Sequence, residues 1–299
     1  MKLGLQIPDF TWPGGAEKLG PTLATIARTA DEAGFNRIGV MDHFFQIERI
    51  GPPEHEMLDA YTALGFLASH TKRAKLLTVV TGVHYRHPGL LAKAVTTLDV
   101  LSGGRAQLGI GAGWNEEESR GLGVPFPPLK ERFEMLEETL EICLQMWNGD
   151  ETPYRGKHYQ LDRPLNSPQS LSRPHPAIVI GGSGEQKTLR LVARLGNACN
   201  LWPTPEIPHK LEILRAHCEA VGRDYDSIEK TAMFHFDVGD NGEKADEIVG
   251  RLRWLASMGI ENVMGGVRDV WRIKPLEILA ERVIPAVANL EPQTARATA

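Results

Sequence analysis

The chain is poor in the features that mark several protein classes. Only three cysteines occur among its 299 residues, Cys143, Cys199 and Cys218. Their number is odd, no C-x-x-C pair exists, and each sits in an apolar or helical context. Buried free thiols in a reducing compartment are therefore expected, not a disulfide framework. No stretch approaches the ~18 consecutive apolar residues of a membrane span. The opening MKLGLQIPDF carries one Lys, and Gly4, Gln6, Pro8 and Asp9 break its apolar run. No secretory signal is read there, and a cytoplasmic location is expected. Positive charge is not in excess. The 33 Lys and Arg against 38 Asp and Glu leave a net charge of −5, which argues against the clustered basic surface of a nucleic-acid binder. A local field can still attract an anionic small molecule. Aromatics make up 7%, apolar residues 42% and charged residues 24%. Those proportions exclude disordered, collagen-like and coiled-coil chains.

Short apolar runs alternating with amphipathic stretches are what remains. Strands are expected at 2–6, 37–41, 76–81, 106–111, 177–181, 198–201, 230–237 and 260–265. Most are continuous apolar runs, as in parallel strands buried on both faces. Helical stripes fall between them, such as Leu19, Leu23, Ile26, Ala27 and Ala30 before Gly34. Strict alternation of eight units, with no linker-like shift in composition, predicts one α/β domain over residues 1–290. The fold expected is a (β/α)8 TIM barrel, preferred over a doubly wound open sheet. Two connections are long, 112–129 after the fourth strand and 149–176 before the fifth. The second is expected to hold a hairpin over Tyr154–Leu161 turning at Arg155-Gly156. Residues 291–299 read as a frayed tail.

Barrel enzymes place their chemistry where strands end and the following loops begin. The expected mouth is rich in glycine and in aromatics: Phe10, Trp12, Phe44, Phe45, Tyr85, Trp114 and Trp202. Such walls suit a flat organic ligand. Asp42-His43 closes the second strand, and a carboxylate and an imidazole there can fix a heterocycle and move a proton. Gly109-Ile110-Gly111-Ala112-Gly113-Trp114 closes the fourth strand. It is a poor dinucleotide fingerprint, because its third Gly comes one residue early and the first strand lacks any such turn. A loop that lets a flat ligand approach closely suits it better. Gly181-Gly182-Ser183-Gly184 follows an apolar run and opens a helix, so its backbone N–H groups form an anion nest. The triphosphate loop is rejected because Gln186 stands where its second Gly is required. Arg86, Lys187 and Arg190 are the nearest cationic candidates. The His84-x-x-His87 pair has no carboxylate at ligand spacing, so no metal site is expected. Glu116, Glu117 and Glu118 read as a charged first helical turn that suits the helix dipole.

Several stretches together resemble the bacterial-luciferase-like superfamily: TVVTGVHYRHPGLLAKAVTTLDVLSGGRAQLGIGAGW from Thr78 to Trp114, MDHFF from Met41 to Phe45, and IGGSGEQKTLRLVA from Ile180 to Ala193. The likeness is nearest to oxidoreductases dependent on the deazaflavin coenzyme F420. It runs in order from the first strand to about residue 202. It implies a barrel holding a flavin-type ring at its mouth beside Asp42 and His43; His43 is the expected catalytic acid–base group, because hydride transfer to or from a polar bond needs a proton partner. It implies a bulge with a non-proline cis peptide near Val79-Val80, followed by Thr81, behind that ring. Gly111, Gly113 and Trp114 would lie against the cofactor, and Gly181, Gly182, Ser183 and Gly184 would bind its phosphate. The superfamily's sugar-phosphate dehydrogenases carry a proton-transferring Glu where this chain has Trp114, which favours a planar or apolar substrate. The alternatives are FMN as cofactor of a monooxygenase on the same barrel, a barrel metallohydrolase, and a non-enzymatic binding barrel. A metallohydrolase would want a His-x-His on the first strand, which LGLQIP lacks. A homodimer or higher homo-oligomer is expected from the resemblance alone.

Overall fold

The computed structural model describes residues 1–292. Eight parallel strands close into a barrel in the order β1 (Lys2–Ile7), β10 (Asn262–Val267), β9 (Glu229–Phe236), β8 (Ala198–Leu201), β7 (Ala177–Gly181), β4 (Gln107–Gly111), β3 (Lys75–Gly82) and β2 (Arg37–Asp42). The sequence reading of a single TIM barrel thus holds, with strand ends shifted by one or two residues. The major helices of the outer layer are α1 (Gly15–Ala33), α2 (Ala60–His70), α3 (Pro88–Leu101), α5 (Leu129–Trp147), α6 (Thr188–Leu195), α7 (Ile207–Ala220) and α8 (Ala245–Ser257). The short helix α4 (Glu116–Gly121) lies in the connection after β4. Strands β5 (Tyr154–Arg155) and β6 (Gln160–Leu161) form the expected hairpin. Its turn is Gly156–Tyr159, not Arg155-Gly156, because Arg155 still pairs with Gln160 and Gly156 N–H donates to the Tyr159 carbonyl. The tail reading falls mostly on residues 293–299, which lie outside the described residues. No helix among the described residues is long and apolar enough to cross a membrane.

The first helix shows why these elements form. Its periodic apolar side chains are buried, and Gly34 ends it with φ 93°, donating to the carbonyls of Ala30 and Asp31. A left-handed residue at this position is cheap only for glycine. Asp31 faces the entry to β3, where its carboxylate accepts from the backbone N–H groups of Lys72, Arg73 and Ala74. Those bonds hold the Asp31 carboxyl below its ordinary range even though burial opposes ionisation.

Inside the barrel Leu77, Val179, Ala198 and Met264 form a small cluster against which Val79 packs. The register between β2 and β3 slips between Val40 and Asp42, so β3 bulges there. The Val79-Val80 peptide within the bulge is cis, as the resemblance implied. In a regular strand neighbouring side chains alternate faces. Here Val79 reaches toward Gly39 of β2, and Val80 toward Gly109 and Gly111 of β4 and Gly181 of β7. Glycine is needed along that wall. A Cβ on Gly111 or Gly181 would stand 3.3 or 3.1 Å from the Val80 methyls, and one on Gly109 would run into the Thr78 carbonyl.

Candidate active site

The functional end is assembled from the segments just past the strands. Asp42 and His43 leave β2 with their side chains bound to different groups. The Asp42 carboxylate is 1% exposed. It accepts from Thr81 Oγ1 at 2.8 Å and from Arg86 Nε and Nη2 at 3.0 and 2.7 Å. Arg86 Nη2 also reaches Asp59, at 2.7 Å, and Asp59 caps α2 by accepting from Thr62 N–H. Of the two parts the sequence left open for Arg86, anion ligand or structural tie, these bonds support the structural one. Arg86 ties β2, the loop after β3 and the start of α2 together. Its two carboxylates strengthen its hold on the proton, against the cost of burial.

His43 faces another carboxylate. Its Nδ1 lies 2.5 Å from Glu118 Oε1, and Glu118 is fully buried. The Tyr85 hydroxyl donates to the same oxygen. Glu118 Oε2 accepts from the backbone N–H groups of Phe44 and Phe45 at 2.8 and 3.2 Å. Burial works against the Glu118 charge, but the His43 hydrogen bond and the other donors hold its carboxyl below the usual range. Burial and the adjoining carboxylate push the Tyr85 phenol far up, so it stays a donor. The Trp114 ring meets His43 edge-on, 5.4 Å between centroids, and is 62% exposed. Among the described residues His43 Nε2 has no hydrogen-bond partner, and it is not among the unpartnered atoms sealed from solvent.

Glu118 is the site residue that the sequence reading missed. Three consecutive glutamates look like a solvated helical turn. The signal lay in helical spacing, since Asn115, Glu118 and Ser119 share one face and all three are buried. On that face His84 Nε2 contacts Ser119 Oγ at 2.9 Å, while the Ser119 hydroxyl donates to the Asn115 carbonyl. Nε2 must then carry the His84 proton, and Nδ1 is buried without a partner. Burial, aided by Arg132, lowers the His84 imidazole to about 4. Gly113 adopts φ 76°, and a Cβ there would collide with the His84 ring. His87 packs against Tyr159 instead of converging with His84. No group of three or more metal-ligating side chains exists among the described residues.

The glycine loop crowns β7. Gly182, at φ 118°, donates its N–H to the Asn200 carbonyl. The next three N–H groups, of Ser183, Gly184 and Glu185, have no acceptor among the described residues. The helix begins at Thr188, after a turn closed by Leu189 N–H to the Gly184 carbonyl. Lys210 draws the Glu185 carboxylate aside at 2.5 Å. Lys187 lies over the Phe133 ring on α5, and Arg190 is exposed on α6. Trp202 N–H approaches Ser183 Oγ at 3.4 Å. Arg49, in the loop after β2, sits 5.3 Å from the centre of the Trp202 ring. Strands β2 and β8 stand on opposite sides of the barrel, so this contact spans the mouth. Of the expected aromatic wall, Trp114 and Trp202 are exposed, whereas Phe10 and Trp12 are buried in the core.

Comparison with known proteins agrees with this fold. A family model described as luciferase-like monooxygenase matches residues 1–293. The F420-dependent glucose-6-phosphate dehydrogenase of Nakamurella multipartita is 32% identical over 249 residues, covering 79% of this chain and 69% of that protein. Among solved structures, the coenzyme F420-dependent tetrahydromethanopterin reductase from Methanopyrus kandleri superposes with a TM-score of 0.77 at 18% identity, covering 95% of this chain and 98% of that one. Monooxygenase RslO1 from Streptomyces bottropensis gives 0.80 at 18% identity, covering 95% and 99%. At such identities the two structures speak to the fold alone.

Proposed function

The chain belongs to the luciferase-like monooxygenase family, and from that premise we propose that it is an oxidoreductase using coenzyme F420 to move a hydride to or from a small organic substrate. The observation that carries the cofactor's placement is the run of unpaired N–H groups at Ser183, Gly184 and Glu185. Successive amides at a strand-to-helix turn suit a phosphate. The wall behind fits as well, since Gly111 and Gly181 carry no Cβ and pack against Val80, leaving its methyls as the apolar face. When bound, the deazaflavin supplies two-electron hydride chemistry.

The chain's own residues supply the rest. Val79 and Val80 offer an apolar backing to the ring. Trp114 and Trp202 wall the mouth and exclude water from it. His43 Nε2 takes the proton from a substrate hydroxyl as its hydride leaves, or returns one in the reverse direction. Trp114 stands where the resemblance places a glutamate in sugar-phosphate dehydrogenases. That change supports a planar or apolar substrate in place of a sugar phosphate, although the Nakamurella relative is a glucose-6-phosphate dehydrogenase.

An FMN-dependent monooxygenase is the second reading, because the phosphate loop suits both cofactors and RslO1 shares the fold. Parallel fluorescence titrations with coenzyme F420 and FMN decide between them. The proposal expects coenzyme F420 to bind at least about tenfold more tightly, a difference of ~1.4 kcal/mol. The reverse preference would overturn it.

A further inference from the structure

We propose that Glu118 is the positioning residue of the site, fixing the proton of His43 on Nδ1 and holding Nε2 bare toward the mouth. This rests on the reading of His43 as the proton carrier. The argument is one of donors and acceptors. Glu118 is sealed from solvent, and four groups converge on its two oxygens. Two of them, the backbone amides of Phe44 and Phe45, can only donate. The phenol of Tyr85 donates as well. A carboxylate surrounded in this way accepts everywhere, so Nδ1 of His43 donates too. The imidazole then has one nitrogen left, and Nε2 is the one without a protein partner. When Nε2 accepts a proton, the His43–Glu118 pair passes from net −1 to net zero. The carboxylate stays ionised throughout.

The same carboxylate fixes three segments at once. It holds the chain just after β2 through two amides, the loop after β3 through Tyr85, and α4 through its own backbone. The remaining charged groups around His43 do not compete for Nδ1. His84 uses its Nε2 on Ser119, and Arg86 is occupied by Asp42 and Asp59. Trp114, edge-on to His43, carries no charge. The tautomer therefore answers to Glu118 alone.

Long-range proton–nitrogen NMR on the cofactor-free protein, labelled at histidine nitrogen, tests this directly, with His43 assigned by loss of its signals in His43→Ala. The wild type is expected to show neutral His43 protonated on Nδ1. In Glu118→Gln the amide oxygen keeps the Phe44 and Phe45 bonds, and its NH2 faces Nδ1. The proton then moves to Nε2. An Nε2-protonated wild type, or an unchanged tautomer in Glu118→Gln, would overturn the proposal. Should that variant fail to fold, Tyr85→Phe decides. It removes a neighbouring donor and leaves the carboxylate, so His43 should stay protonated on Nδ1, whereas a proton found on Nε2 counts against the idea. The tautomer is read without cofactor or turnover. A chain that shows the expected switch but reduces no deazaflavin would therefore refute the functional reading and leave the role of Glu118 standing.

Discussion

At the scale of single residues the site turns on which side chains keep a free atom. Adjacent residues at the end of β2 take opposite parts. Asp42 has both carboxylate oxygens engaged by Thr81 and Arg86, so it braces the fold. His43 keeps Nε2 open, so it is the one able to exchange a proton with a ligand. Replacing His43 with Ala is therefore expected to cut turnover by about 10²- to 10⁴-fold, the usual worth of a positioned acid–base group. The dissociation constant for coenzyme F420 should stay within a factor of about two, since the phosphate loop lies elsewhere. Steady-state kinetics alongside a fluorescence titration separates the two effects. Equal losses in both would make His43 a binding residue. His43 was picked out beforehand, because a strand-end His reads as chemistry once the barrel is recognised, and the kinetics above test that reading. Glu118 was not legible, since nothing in Glu116-Glu117-Glu118 says which carboxylate turns inward. That choice depends on where the helical turn after Gly113 starts, and the φ of 76° at Gly113 sets it.

At the scale of elements, the alternation of strand and helix was read correctly because it rests on apolar periodicity. Connections between the ends of different elements were not, because they rest on single long side chains. Arg86 is the clearest case. Read alone, an Arg after β3 is a ready anion ligand. In the fold it joins the end of β2 to the cap of α2, lying 4.7 Å from the centre of the Tyr61 ring. Removing one partner of a buried ion pair leaves the other charge without compensation. Arg86→Leu is thus expected to lower stability by about 3–5 kcal/mol, read as a fall in the denaturant midpoint with an unchanged slope. Coenzyme affinity measured well below that midpoint should hardly move. A variant that folds as stably as the parent yet loses the coenzyme would restore Arg86 as a ligand. The contact between Arg49 and Trp202 was equally invisible in sequence, because it joins loops from opposite strands that meet only when the barrel closes.

At the scale of the whole molecule the two barrel ends carry different chemistry. The N-terminal end is closed by charge, with Arg37 bound to Glu229 at 2.5 Å and Asn262 beside it. The broad cavity of about 980 Å³ at that end carries both signs of charge, including Lys230, Arg215, Glu229 and Glu261. The mouth instead offers backbone N–H groups without acceptors among the described residues, aromatic rings and two buried carboxylates, Asp42 and Glu118. A net charge of −5 gives no general attraction for an anionic cofactor, so capture depends on those local donors. Burying imidazoles and a carboxylate near the mouth also links stability to pH, and His84 sets the sign. Its imidazole titrates at about 4 in the folded chain and at ~6.5 when unfolded. Between those values the unfolded chain binds more protons, so stability is complete above pH ~6.5 and declines as the pH falls toward 4. Below about 4 both states are protonated and the loss levels off. The full effect is on the order of 2–4 kcal/mol, or roughly 5 °C or more in Tm. The depressed carboxyls of Asp31 and Glu118 begin to cost stability only once the pH falls below the unfolded carboxylate values of ~4, at the low edge of this interval, and a differential comparison removes their share. His84→Phe keeps a ring against Tyr85 and Phe126 and removes the titrating nitrogen. It should start less stable at pH 7, having lost the Ser119 bond, and then lose less Tm than the parent between pH 7 and 4.5. Parallel slopes for the two proteins would show that His84 charges without cost, and that the interior between Tyr85 and Phe126 is open to water.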